Sequence, residues 1–148
     1  MKIEVVVNDE DPQKKKGDLL EKIAKNLLES QNYEVETEIR RTGIELDLLC
    51  KNKANPSKKI YVECKAYDKG NKIQADVITK LSGARDIHEY EEAWLISTSE
   101  LGKDAKGLVE KITEGKNSRF FTFYTPDKLV EAFVLMVRSN GDKIVKMR

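Results

Sequence analysis

Three residues near the middle of the chain have the types and spacing for chemistry: Asp47 in IELDLLC, and Glu63 and Lys65 in IYVECKA. Both runs alternate as strands do. In the first, Ile44, Leu46, Leu48 and Cys50 share one face, with Glu45, Asp47 and Leu49 on the other. In the second, Ile60, Val62 and Cys64 oppose Tyr61, Glu63 and Lys65. The intervening KNKANPSKK has the Asn, Pro, Ser and Lys of a hairpin loop. A symmetric loop pairs Lys51 with Lys59, which sets Asp47 opposite Glu63 and Glu45 opposite Lys65. Directly opposed Cβ atoms lie ~4.5–5.5 Å apart. Two carboxylates ~4 Å apart at an effective dielectric of ~20 repel by about 4 kcal/mol. Folding alone does not reward that arrangement. A divalent cation between the two reverses its sign, and hard oxygen ligands at this spacing suit Mg²⁺. The plainer alternative is a solvated polar face on an antiparallel hairpin, which a chain with 36% charged residues readily produces. A second Glu-x-Lys, Glu114-Gly115-Lys116, lies at a helix end with no strand around it and receives no role.

Other elements must hold this hairpin in place. From Gly17 to Ser30, the pairs Leu19/Leu20, Ile23/Ala24 and Leu27/Leu28 recur every four residues, which predicts an amphipathic helix. YEVETEI is a half-buried strand leading into the hairpin. Residues 73–88 return to helical spacing through Ile73, Val77, Ile78, Leu81 and Ala84, and AWLIS is a short apolar strand. Another helix carries Leu101, Ala105, Leu108, Val109 and Ile112. RFFTFY is a strand whose Phe120, Phe121, Phe123 and Tyr124 are core rather than a base-stacking platform. Thr125 and Pro126 open a last helix, running to about Val137, as N-cap and first helical residue. Strands in a meander followed by strand–helix alternation predict an α/β fold: a mixed sheet with helices on both faces, in the order α-β-β-β-α-β at its core. Residues 1–16 are expected to be a strand or tail and a linker, 17–137 a single domain, and 138–148 a tail or the start of a further segment.

The arrangement Asp47…Glu63-Cys64-Lys65, on a hairpin after a helix with an acidic residue, resembles the PD-(D/E)XK restriction-endonuclease-like nucleases, and within them the Mrr-like branch. Further stretches are similar to that branch. They are Gly17-x-x-x-Glu21, Asn32-Tyr33-Glu34-Val35, Leu81-Ser82-Gly83-Ala84, Trp94-Leu95-Ile96-Ser97-Thr98 and Lys103-Asp104-Ala105, so the resemblance covers roughly residues 17–125. Two places depart from the pattern. The glycine-rich run before the Asp is reduced to Thr42-Gly43-Ile44, and the Gln common in the helix after Glu-x-Lys is Thr79, with Gln74 near it as a substitute. The resemblance implies metal-assisted phosphodiester hydrolysis in DNA, with RNA left open. Asp47, Glu63 and the backbone carbonyl of Cys64 would hold Mg²⁺, for which Mn²⁺ would substitute, and Lys65 would position or deprotonate the attacking water, positioning being favoured because metal and carboxylates hold a Lys charged. Glu21, roughly 110° from the centre of its helix's apolar stripe, either reaches a metal-bound water or is a solvated helix Glu.

Composition narrows the rest. Lys and Arg number 27 against 26 Asp and Glu, a net charge of +1, so any polyanion-binding surface must come from segregating the two signs. Arg40, Arg41, Lys51, Lys53, Lys58 and Lys59 flank the hairpin as a candidate phosphate-tracking rim or as solvated charge. No apolar run approaches the ~18 residues of a membrane span and no signal peptide is evident, which predicts a cytoplasmic protein without a membrane partner. Cys50 and Cys64 read as buried reduced thiols, and His88 as a surface residue at a helix end. No helix-turn-helix or zinc module is visible. Specificity would then come from a homodimer or from attachment to a larger multidomain protein, such as a restriction or anti-phage defence system. The ending at Lys146-Met147-Arg148 is compatible with the latter. Two rival functions share the fold: a non-catalytic nucleic-acid-binding or scaffolding domain, and a structure-specific junction nuclease.

Overall fold

The computed structural model describes residues 12–41, 44–67 and 70–140, with the backbone alone for 12–16, 38–41, 44–47, 139 and 140. Its elements run α1 (Pro12–Ser30), β1 (Tyr33–Arg41), β2 (Ile44–Asn52), β3 (Lys59–Lys65), α2 (Ala75–His88), β4 (Glu92–Ser97), α3 (Lys103–Glu114), a 3₁₀ turn (Ser118–Phe120), β5 (Phe121–Tyr124) and α4 (Pro126–Asn140). The five strands form one mixed sheet in chain order, antiparallel through β1–β2–β3 and parallel through β3–β4–β5. Each parallel step requires a crossover, supplied by α2 and by α3 with its 3₁₀ turn.

Alternation along the strands divides the core into two layers. Leu48, Cys50, Ile60, Val62, Cys64, Trp94 and Ile96 meet Leu20, Ala24, Leu27 and Leu28 of α1, and Leu129 and Met136 of α4. Leu49, Tyr61, Ala93, Leu95 and Phe123 point the other way, toward Val77, Ile78, Leu81 and Ala84 of α2 and Ala105 of α3. The interior strand β4 is buried along its whole length, which is why AWLIS shows no alternation in the sequence.

The first helix begins at Pro12, five residues before Gly17, where the apolar stripe starts. Pro is suited to a first helical position, and Gln and Lys are good helix formers, so the polar start carries helix without carrying a stripe. Asn32 closes α1 with a left-handed backbone (φ 70°), its N–H donating to the Glu29 carbonyl at 3.2 Å. The last helix extends to Asn140, past Val137, and β5 starts at Phe121 because Ser118–Phe120 form the 3₁₀ turn. Residues 1–11 and 141–148 lie outside the described residues. Both cysteines are free and buried; burial pushes the Cys50 thiol up to about 12. No described helix is long and apolar enough to cross a membrane.

Candidate active site

The hairpin has the symmetric register that its loop composition predicts: Lys51 pairs with Lys59, Cys50 with Ile60, Leu49 with Tyr61 and Leu48 with Val62. The recorded pairing ends at Leu48–Val62; Asp47 precedes Leu48 and Glu63 follows Val62 in sequence. The side chain of Asp47, like those of Glu45, Arg40 and Arg41, lies outside the described residues.

Glu63 and Lys65 stand on the α2 side of the sheet, at the carboxyl end of β3. Lys65 Nζ lies 3.2 Å from Glu63 Oε1, with the Glu side chain 14% and the Lys side chain 30% exposed. The Tyr61 hydroxyl donates to Glu63 Oε2 at 3.2 Å. Residues i, i+2 and i+4 of one strand thus place a phenol, a carboxylate and an ammonium in a row on one face. The Cys64 side chain is turned into the α1-side core, so only its main chain faces the polar row.

The neighbouring strand anchors this end. Lys65 pairs with Ser97 across the parallel ladder, and the Thr98 N–H donates to the Lys65 carbonyl at 3.2 Å. The buried Ser97 hydroxyl donates to the Ser99 carbonyl and accepts from the Ser99 N–H; Ser99 Oγ in turn accepts from the Tyr67 N–H at 3.0 Å. These bonds tie the exits of β3 and β4 together and fix the backbone that carries Lys65. Just beyond lies an open groove of about 570 Å³ lined by Tyr67, Gly70, Asn71, Lys72, Gln74 and Asp76. Gln74 is exposed and donates to the Lys72 carbonyl at 3.2 Å. Its side-chain amide passes Gly102, where a Cβ would stand 3.1 Å from the Ile73 carbonyl and 3.5 Å from the Gln74 amide.

The structure brings Glu63 and Lys65 into contact and sets Gln74 in the adjoining groove. Glu21 is half-buried on α1, whose Leu20 and Ala24 cover the other face of the sheet. Lys51, Lys53 and Lys59 sit at the loop end of the hairpin; Lys59 is four strand residues from Glu63, about 13 Å at ~3.3 Å per residue. Lys58 is engaged with Glu92 at 2.7 Å. His88 stacks on Tyr90, with ring centroids 6.0 Å apart. Among the described side chains, which do not include that of Asp47, no three His, Cys, Asp or Glu gather as a metal cluster. Residue type and spacing do not mark out Tyr61 or Ser97 as functional, although alternation alone puts Tyr61 on the Glu63 face.

The family model for restriction endonucleases of the Mrr catalytic type matches residues 13–132. The chain belongs to this restriction endonuclease family. The match takes in everything from α1 into α4, including the hairpin with Asp47, Glu63 and Lys65. No curated protein matches. Among solved structures, the chain is similar to a repair endonuclease from Pyrococcus abyssi (16% identity, 81% of this chain and 49% of that one, TM-score 0.52). It is also similar to a protein in an EndoMS–dsDNA2 complex (14%, 80% and 48%, TM-score 0.52). A third similar structure is of a protein of unknown function (14%, 70% and 54%, TM-score 0.54). These likenesses show the restriction-endonuclease-like fold, and the chain spans about half the length of the structures it matches.

Proposed function

We propose that this restriction endonuclease-family chain is a metal-dependent DNA endonuclease module whose catalytic centre is Asp47, Glu63 and Lys65. The observation that supports the reading is the Glu63–Lys65 pair, 3.2 Å apart on one strand face, on a hairpin whose pairing reaches Leu48–Val62, one residue from Asp47 and from Glu63. Open α/β sheets bind their ligands at the carboxyl ends of parallel strands, which is where this pair stands.

The donor set fits a hard divalent cation: the Glu63 carboxylate, the main-chain carbonyl of Cys64 and the Asp47 carboxylate from the facing strand. When bound, Mg²⁺, or Mn²⁺ in its place, supplies charge neutralisation at the scissile phosphate and a water of lowered pKa. Glu63 and Asp47 would hold the ion. Each carboxylate oxygen has two lone pairs, so the bonds from Tyr61 and Lys65 leave acceptor capacity on both oxygens of Glu63. Lys65, an ammonium beside a carboxylate, acts by position and charge: it orients the attacking water and stabilises the charge that develops on the phosphate. Gln74, in the groove beyond, and Glu21, on α1, are auxiliary members of the same proposal. A role in defence, with specificity supplied by a larger protein, accords with the restriction endonuclease family.

The test is cleavage of supercoiled plasmid and of single-stranded RNA by the wild-type chain with Mg²⁺, with Mn²⁺ and with a chelator. Plasmid nicking that the chelator abolishes is the expected result. Binding without cleavage under every metal would favour the scaffolding function instead.

A further inference from the structure

The geometry points to Tyr61 as a positioning residue for Glu63, one that sets how the carboxylate is offered to a divalent cation. The inference rests on the proposed role of Glu63 as a metal ligand. Tyr61 is 4% exposed and belongs to the α2-side core layer that also holds Leu95, Ile78 and Leu81, with the Tyr90 ring at a centroid distance of 6.1 Å. A ring held this way has little rotational freedom, so its hydroxyl is a fixed donor aimed at Glu63 Oε2, 3.2 Å away.

The other oxygen of Glu63 meets Lys65, whose side chain is 30% exposed on a flexible four-carbon stem. The two contacts therefore differ in stiffness. Lys65 can leave Oε1 when a cation or phosphate arrives, whereas Tyr61 keeps Oε2 and the carboxylate plane in place. Without the phenol, Glu63 is free to turn about its terminal torsion and to close more fully on Lys65, which competes with the cation for the same oxygens. Hydrogen-bond partners behind a metal ligand typically change affinity by ~10–100-fold when removed.

Tyr90 provides a matched control. It lies in the same buried layer, and its hydroxyl is buried with no hydrogen-bond partner among the described residues. Tyr61→Phe and Tyr90→Phe each delete one buried phenolic oxygen, and only the first touches Glu63.

The experiment is calorimetric titration of Mn²⁺ into the full chain without nucleic acid, for wild type, Tyr61→Phe, Tyr90→Phe and Glu63→Gln, with thermal unfolding of each. Tyr61→Phe is expected to weaken Mn²⁺ binding by about tenfold or more. Tyr90→Phe should bind as wild type, and Glu63→Gln should give no binding. In plasmid cleavage, the Mg²⁺ concentration for half-maximal rate should rise in Tyr61→Phe, with kcat restored at saturating Mg²⁺. Wild-type Mn²⁺ affinity in Tyr61→Phe, with binding lost in Glu63→Gln, would overturn the inference and leave the metal site standing. Equal weakening in Tyr61→Phe and Tyr90→Phe would also overturn it, because the effect would then be one of packing. So would a Tyr61→Phe chain that fails to fold while Tyr90→Phe folds, since the hydroxyl would then serve the fold. Unaltered binding in Glu63→Gln would remove the underlying metal-site reading itself.

Discussion

Lys58→Met should destabilise the chain by about 2 kcal/mol, through loss of a pair that pins the hairpin loop to the start of β4. Lys58 Nζ is 2.7 Å from Glu92 Oε2, and Trp94 Nε1 donates to Glu92 Oε1 at 3.1 Å, so both oxygens of a carboxylate only 12% exposed are satisfied. Removing the ammonium leaves that charge with one neutral donor. Charge-assisted bonds contribute ~1.5–3 kcal/mol, and breaking a fully buried pair costs ~3–5 kcal/mol. With the Lys side chain 30% exposed, solvent screens part of the interaction, which places the cost near the lower range. At ~2.1 cal/mol/K of unfolding entropy per residue, about 2 kcal/mol over 148 residues is a fall in Tm of about 6 °C.

The pH dependence of this effect has a definite sign. The hydrogen bond to Glu92 holds the Lys58 ammonium above its ordinary pKa, against the opposing effect of burial. A cation raised in the fold stabilises fully below its unfolded pKa of ~10.4 and loses that contribution as pH rises through the folded value. The gap between wild type and Lys58→Met should therefore be flat from about pH 7 to about 10 and narrow above it. Calorimetric unfolding across that range is the assay. A Tm within about 1 °C of wild type at neutral pH, or a gap that widens toward about pH 11, would refute the assignment.

Lys65→Ala should keep or strengthen metal affinity, since it removes a competitor for Glu63 and no proposed metal ligand, while slowing cleavage by roughly 10²–10⁴, measured by single-turnover nicking alongside calorimetry. Replacing Lys51, Lys53 and Lys59 with Gln should flatten the log–log salt dependence of duplex binding by about 0.9 for each phosphate no longer neutralised; an unchanged slope moves the DNA-binding surface away from the hairpin loop. Cys50, with its thiol pushed up to about 12, should resist alkylation in mildly alkaline buffer in the native chain and react only on unfolding, as mass spectrometry would show.

The element order, the mixed sheet and the hairpin register were legible because they rest on local signals. The Asn-Pro-Ser loop centres the Lys51–Lys59 pairing, and period-2 alternation then assigns Tyr61, Glu63 and Lys65 to one face and Cys50 and Cys64 to the other. The four-residue stripe of α1 marks the face it buries, and the continuous AWLIS run marks a strand covered on both sides. The residues that escaped depend on contacts distant in sequence or on geometry without a pattern. The polar residues before Gly17 form helix with no stripe to announce it. Lys58 looks like one more loop lysine until β4 brings Glu92 beneath it, and Ser97 acquires its role only from the turn to Ser99. The hairpin lysines flank the strands in sequence, yet strand length carries Lys51, Lys53 and Lys59 to the end of the sheet away from Lys65. Alternation puts Tyr61 on the correct face; that its hydroxyl reaches Glu63 follows from a side-chain conformation that alternation does not encode.

On the proposed function, Asp47 and Glu63 together hold the cation that hydrolysis requires. The most direct test is the rate of Mg²⁺-dependent nicking of supercoiled plasmid by Asp47→Ala beside wild type, with each chain's Mn²⁺ affinity measured in parallel. One remaining carboxylate holds Mg²⁺ poorly against its hydration shell, so Asp47→Ala should lose both binding and nicking while staying folded. An Asp47→Ala chain that nicks plasmid as fast as wild type would contradict the account.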